Sequence, residues 1–92
     1  MRGEYKTPGG KLVAVEFDVV DGRLSGVRVS GDFFLYPDDA LPLINEALEG
    51  ASADATAFEL SSRIAVALPI DAELLGFSAD AVAEAVVRGL LR

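Results

Sequence analysis

Residues 11–30 read KLVAVEFDVVDGRLSGVRVS, and this stretch decides the fold. Val13, Val15, Phe17 and Val19 fall on one side, with Glu16 and Asp18 on the other. That period of two is the mark of a half-buried strand. Asp21-Gly22 follows, the dipeptide suited to a two-residue type I′ hairpin turn, in which both central residues take positive φ. Arg23–Ser30 is the return strand, apolar at Leu24, Val27 and Val29, and Gly26 interrupts it as a candidate bulge. A hairpin with one apolar face needs a second layer to cover that face.

Beyond the hairpin the chain reads GDFFLYP from Gly31 to Pro37. Asp32–Tyr36 is expected to be a short third strand. There Phe33 and Leu35 share one side and Phe34 and Tyr36 the other. The sequence leaves open which pair faces the core. Pro37 suits a first helical position, with Asp38 and Asp39 in the first turn, favourable to the helix dipole. Ala40, Leu41, Ile44, Ala47 and Leu48 have helical spacing, Pro42 is expected only to bend the first turn, and Gly50 is the expected C-terminal cap. Ala53–Leu68 reads as a helix, alanine-rich and ended by Pro69, with Ser52 as N-cap and a stripe of Phe58, Ser62, Ala65 and Leu68; Arg63–Leu68 alone also fits a strand. Pro69–Gly76 is a connection with room for one extended piece. Ser78 caps a last helix, in which Ala79, Val82, Ala83, Val86, Val87 and Leu90 follow the i, i+3, i+4, i+7 rule. Residues 1–10 read as an N-terminal arm ending in the turn cluster Thr7-Pro8-Gly9-Gly10. The sum is one α+β domain over residues 1–92. Its expected sheet is the hairpin plus a short third strand, covered by about three helices in two layers.

Composition narrows the function. The chain has 92 residues, 51% of them hydrophobic, which excludes a disordered chain and suffices for one modest core. With no Cys there is no disulfide, thiolate nucleophile or cysteine metal site; with no His the commonest general base and metal ligand are missing. The acids lack EF-hand spacing, so no metal site is expected. The N-terminus has no apolar signal region and no run is long enough to span a membrane, so a cytoplasmic protein is expected. The net charge is −7, and it is uneven: residues 1–36 hold five bases and five acids, whereas residues 37–92 hold three bases and ten acids. Nucleic-acid binding needs clustered cations, which this chain lacks.

The remaining candidates each have a plain reading beside the sharp one. Gly9-Gly10-Lys11 could cradle a phosphate, but P-loop spacing is absent and a strand follows, so it serves as a flexible strand entry. Asp38-Asp39 with Asp32 could pair as acid and base, but two of them sit where a helix welcomes acids anyway. Ser25, Ser61 and Ser62 have no base to activate them. No catalytic residue is assigned. Phe33, Phe34 and Tyr36 put apolar rings on both sides of one strand, and in a two-layer domain one side should be wet. The corner Gly31, Asp32, Phe33, Phe34 and Tyr36 is therefore the candidate partner interface.

These residues resemble a known family. The run YKTPGGKLVAVEFDVVDGRLSGVRVSGDFFLYPDDALPLINEALEG, residues 5–50, is similar to the start of the C-terminal accessory domain of lipoate–protein ligases. The resemblance rests on Gly10-Lys11-Leu12 opening the hairpin, the corner Ser30-Gly31-Asp32-Phe33-Phe34 with Pro37-Asp38, and the helix ending at Gly50. At the other end, Leu75-Gly76-Phe77-Ser78-Ala79-Asp80-Ala81-Val82-Ala83-Glu84-Ala85 resembles the family's close, with Ala81 where the family has a second acid. Ala51–Leu74 carries little of the likeness. The resemblance implies an accessory subunit or domain, inactive alone, that packs over a catalytic domain. That partner would hold ATP, Mg and lipoate, make lipoyl-AMP, and pass the lipoyl group to a lysine of an acceptor protein. The chain would be either a separate small subunit or part of a longer ligase. Lys11 or Arg28 would then be a candidate for positive potential near the nucleotide phosphates. The fold is also similar to that of iron–sulfur scaffolds, but this chain lacks their cysteines. The alternative is a stand-alone interaction or scaffold module with an unrelated partner.

Overall fold

Alternating burial organises the centre of the molecule. The computed structural model describes residues 1–91. Strands β1 (Arg2–Lys6), β2 (Leu12–Val20) and β3 (Arg23–Gly31) form an antiparallel sheet in the order β1-β2-β3. β4 (Phe34–Tyr36) leads through a turn into α1 (Ala40–Leu48), then α2 (Ala57–Ala67), β5 (Glu73–Leu75) and α3 (Ala79–Leu90). Val13, Val15 and Phe17 of β2 and Leu24, Val27 and Val29 of β3 are buried, while Glu16, Asp18 and Arg28 are exposed. The helices therefore cover one sheet face and leave the other largely charged and wet, with the small Ala14 buried there. The α+β, two-layer expectation agrees with this arrangement.

The hairpin follows its sequence signals. Asp21 and Gly22 both take positive φ, 52° and 75°. Between the Glu16–Arg28 and Asp18–Ser25 pairs the register shifts, so that Phe17 faces both Val27 and Gly26, the latter at φ 64°. This is the bulge expected at Gly26.

The sheet's third strand is not the expected one. Arg2–Lys6, read as part of an arm, pairs with β2 from Arg2–Glu16 to Lys6–Leu12. The Thr7–Gly10 cluster is the tight turn between them, Gly10 N–H donating to the Thr7 carbonyl at 2.8 Å. Polar residues hid this strand. Gly3 is buried because β1 crosses α3 at backbone distance, and a Cβ there would overlap the Ala85 carbonyl oxygen. The aromatic segment instead makes a separate two-stranded ribbon, β4 with β5, in the register Phe34–Leu75, Leu35–Leu74, Tyr36–Glu73.

Helix boundaries also differ from expectation. α1 starts at Ala40, so Pro37, Asp38 and Asp39 precede it; the Ala40 N–H donates to the Pro37 carbonyl at 2.9 Å, closing a turn first. Pro42 is then the third helical residue, where no intrahelical N–H is needed. Gly50 follows the C-cap Glu49 at φ 76°, as expected of a helix stop. α2 begins four residues later than Ala53, because Thr56 and Glu59, rather than Ser52, form its capping box. Its buried residues are Leu60, Ser61 and Ile64; of the expected stripe Phe58 and Ala65 point outward, Ser62 is half-buried and Leu68, the C-cap, packs against the core, so the stripe is divided between the two sides. Ser78 caps α3, accepting from the Ala81 N–H at 3.1 Å. No described helix is long and apolar enough to cross a membrane.

α1 seals one sheet edge. Along β3 the Val27 N–H donates to Glu49 Oε1 at 2.6 Å and the Val29 N–H to Asn45 Oδ1 at 2.9 Å. Side chains of a helix thus occupy donors that would otherwise invite another strand.

Candidate partner interface

The corner is built where four chain segments meet. β3 ends at Gly31 opposite Val13, and the Asp32 N–H donates to the Leu12 carbonyl at 3.3 Å. On the other side the Lys11 N–H donates to the Gly76 carbonyl at 2.9 Å, tying the start of β2 to the end of β5. Gly31 is required by crowding: a Cβ there would overlap the Leu12 carbonyl oxygen and stand 2.8–2.9 Å from the Phe33 ring. Gly76, at φ 88°, lies under the Lys11 stem, whose Cγ would be 2.6 Å from a Cβ at that position.

The two phenylalanines part company here. Phe33 turns inward and stacks on Phe77, ring centroids 3.9 Å apart and planes 20° from parallel. Leu35 also packs against the core. Phe34 and Tyr36 face out, 63% and 52% exposed, and Leu75, paired with Phe34, is 50% exposed. The question left open by the sequence is thereby answered: the inward pair is Phe33 and Leu35. β5 supplies a third apolar side chain that sequence reasoning did not include, since Leu75 sat in a segment read only as a connection. Glu73 beside Tyr36 and Asp32 at the strand start border this apolar face with negative charge.

The other candidates lie elsewhere. Arg28 pairs with Glu16 on the open sheet face, in company with the Arg2–Glu4 and Arg2–Glu16 ion pairs at 2.9 and 3.1 Å. Lys11 stands at the corner, with its neighbour Val13 on the helix-covered side. The structure therefore does not bring Lys11 and Arg28 together. Asp32 and the Asp38-Asp39 pair stand at opposite ends of β4, all exposed. Among the described residues no three Asp or Glu side chains gather as a metal site. The Ser61 hydroxyl donates to the Phe58 carbonyl at 3.0 Å, an ordinary intrahelical bond, and Ser25 faces Asp18 on the hairpin. Gly9 and Gly10 belong to the β1–β2 turn. What the corner offers is therefore contact: two rings and a leucine on a two-stranded ribbon, with one cation and two anions at its margin.

Comparison with known proteins bears on the fold. No family model matches the chain. In sequence it is 34% identical over 41 residues to Lipoate-protein ligase A subunit 2 of Thermoplasma acidophilum, covering 45% of this chain and 44% of that protein. The aligned part thus spans under half the length of that relative. In fold it is similar to a chain from a solved archaeal lipoylation system, a bi-partite lipoate protein ligase and its E2 lipoyl domain from Thermoplasma acidophilum. The TM-score is 0.75 with 21% identity, over 94% of this chain and 92% of that one. The α+β architecture described above is therefore shared, over nearly its whole length, with a chain of that lipoylation system, and part of the sequence with a ligase second subunit.

Proposed function

We propose that this chain is the non-catalytic accessory subunit or domain of a lipoate–protein ligase. It docks on the catalytic domain and supports the ATP-dependent activation of lipoate to lipoyl-AMP in the cytoplasm. The observation that carries the reading is the fold likeness, which extends over 94% of the chain. The partial sequence match to a ligase second subunit supports it. So does the supply of side chains: a chain without His or Cys is better suited to covering a reaction than to performing one.

In this reading ATP, Mg and lipoate belong to the catalytic partner. There the lipoate carboxylate attacks the α-phosphorus of ATP, pyrophosphate leaves, and the acyl-adenylate later yields its acyl group to a lysine amine with release of AMP. Such a mixed anhydride is prone to hydrolysis, so a cover that excludes water favours transfer. Phe34, Tyr36 and Leu75 are the apolar side chains for that cover. Phe33 and Gly31 hold the ribbon at its angle. Lys11, exposed beside them, adds positive potential on the nucleotide side. Arg28, on the open sheet face, stands apart from this set.

Reconstitution tests the proposal. The catalytic chain of a bipartite ligase is assayed for lipoate-dependent pyrophosphate release with and without this protein. Stimulation is expected. Equal rates in its presence and absence, with no complex by sedimentation, would reject the reading and leave an interaction module with another partner.

A further inference from the structure

A second apolar face lies on α2. Phe58 is 78% exposed, Val66 is 88% exposed, and Ala65 is also exposed. At about 100° per residue these fall on the side of the helix away from Leu60 and Ile64. Ile70, in the turn that follows, is fully exposed. Beside Val66, α1 and α2 leave an open groove of about 440 Å³ lined by Ala47, Ser62, Arg63, Val66 and Ala67. Phe58, Ala65 and Val66 share that side with Glu59, Ser62 and Arg63, so a single exposed apolar side chain there means little. At the C-terminal end of α2, however, Val66 and Ala67 line the groove and Ile70 follows, an exposed apolar patch of the kind a partner covers.

Charge identifies the occupant. Residues 37–92 hold ten acids and three bases, and of those bases Arg63 is the one on the elements that bound the patch. That base is already engaged: Arg63 Nε donates to the Ala47 carbonyl at 2.8 Å and Nη2 to the Glu49 carbonyl at 3.3 Å, closing the end of α1. Glu46, Glu59 and Asp71 are exposed on the elements that bound the patch. A second copy would set two such acidic surfaces against each other. A segment with an apolar centre and Lys or Arg flanks complements the patch in both respects.

We infer that the α2 face and the α1–α2 groove receive an apolar, basic-flanked segment of the catalytic partner, as a second contact apart from the aromatic corner. This rests on the accessory-subunit reading. Binding of the whole chain to the catalytic chain of a bipartite ligase is measured by calorimetry at low and high salt. The V66S/I70S variant changes only exposed side chains, and its melting curve is expected to match the wild type. Its affinity is expected to fall ~10-fold, the loss typical of removing apolar anchors from an interface. E46K/D71K is expected to weaken binding at low salt and much less at high salt. If V66S/I70S binds like wild type while F34A is weakened, the inference fails and the accessory reading stands. If the wild-type chain forms no complex, both fall. A wild-type dimer made monomeric by V66S/I70S would assign the face to a second copy and overturn the inference.

Discussion

At the scale of single residues, adjacent phenylalanines do different work. Phe33 stacks on Phe77 beneath the ribbon, whereas Phe34 stands in solvent. Phe33→Ala removes a partly buried ring and its stacking partner's contact, and is expected to cost about 2–3 kcal/mol, somewhat below the figure for a fully buried Phe. Phe34→Ala is expected to change stability by less than about 0.5 kcal/mol, as surface substitutions do. Urea unfolding of the two variants checks the pair; a larger loss for Phe34→Ala would reverse the assignment. The alternation of the two rings was legible in the sequence, because a strand sends neighbours to opposite sides. Which side was inner was not legible, because the deciding contact is with Phe77, more than forty positions away. Gly3 illustrates the same limit. Its place in the sequence marks nothing, yet a Cβ there would collide with the backbone of α3. Gly3→Ala is expected to lower the melting temperature sharply, by about 3 kcal/mol of stability, since backbone on both sides has to move.

At the scale of elements, the signals that succeeded were local. Asp21-Gly22 fixed the hairpin turn, Ser78 the start of α3, and Gly50 the end of α1. The signals that failed were those in which tertiary pairing decided the outcome. β1 lacks an apolar alternation because its inward positions are Gly3 and Tyr5, the one crossed closely by α3 and the other stacked under the Arg88 guanidinium at 4.8 Å. The ribbon needed β5, a three-residue strand too short to read alone. α2 misled because Phe58, Ala65 and Val66 put apolar side chains on its exposed side as well, and periodicity cannot say which side is covered. The corner's location was thus legible in the sequence, but its contribution from Leu75 was not. α1 has a role no periodicity would reveal: Asn45 and Glu49 accept from the N–H groups of Val29 and Val27. Replacing both with Ala leaves two edge donors unpaired and is expected to cost about 2–4 kcal/mol in total. It should also promote self-association through the bared β3 edge, read as concentration-dependent sedimentation. A variant that melts lower yet stays monomeric at all concentrations would limit the two side chains to a stabilising role.

At the scale of the whole molecule, charge is the property that acts at a distance. The excess of −7 lies in residues 37–92, which supply all three helices and β5. The surfaces proposed for contact, at the corner and on α2, are largely apolar, so in such a complex they would govern how long it lasts, and the acidic field how quickly it forms. In the proposed complex the association rate is therefore expected to fall by about tenfold between low and high salt, as screening shortens the reach of the field, while dissociation changes little. Stopped-flow mixing with the catalytic chain separates the two rates. Asp71→Lys and Glu46→Lys should flatten the salt dependence of association, whereas Phe34→Ala should leave that slope alone and speed dissociation. An association rate indifferent to salt would mean that the acidic half faces away from the partner, and docking would then have to be assigned to the corner and the sheet side alone.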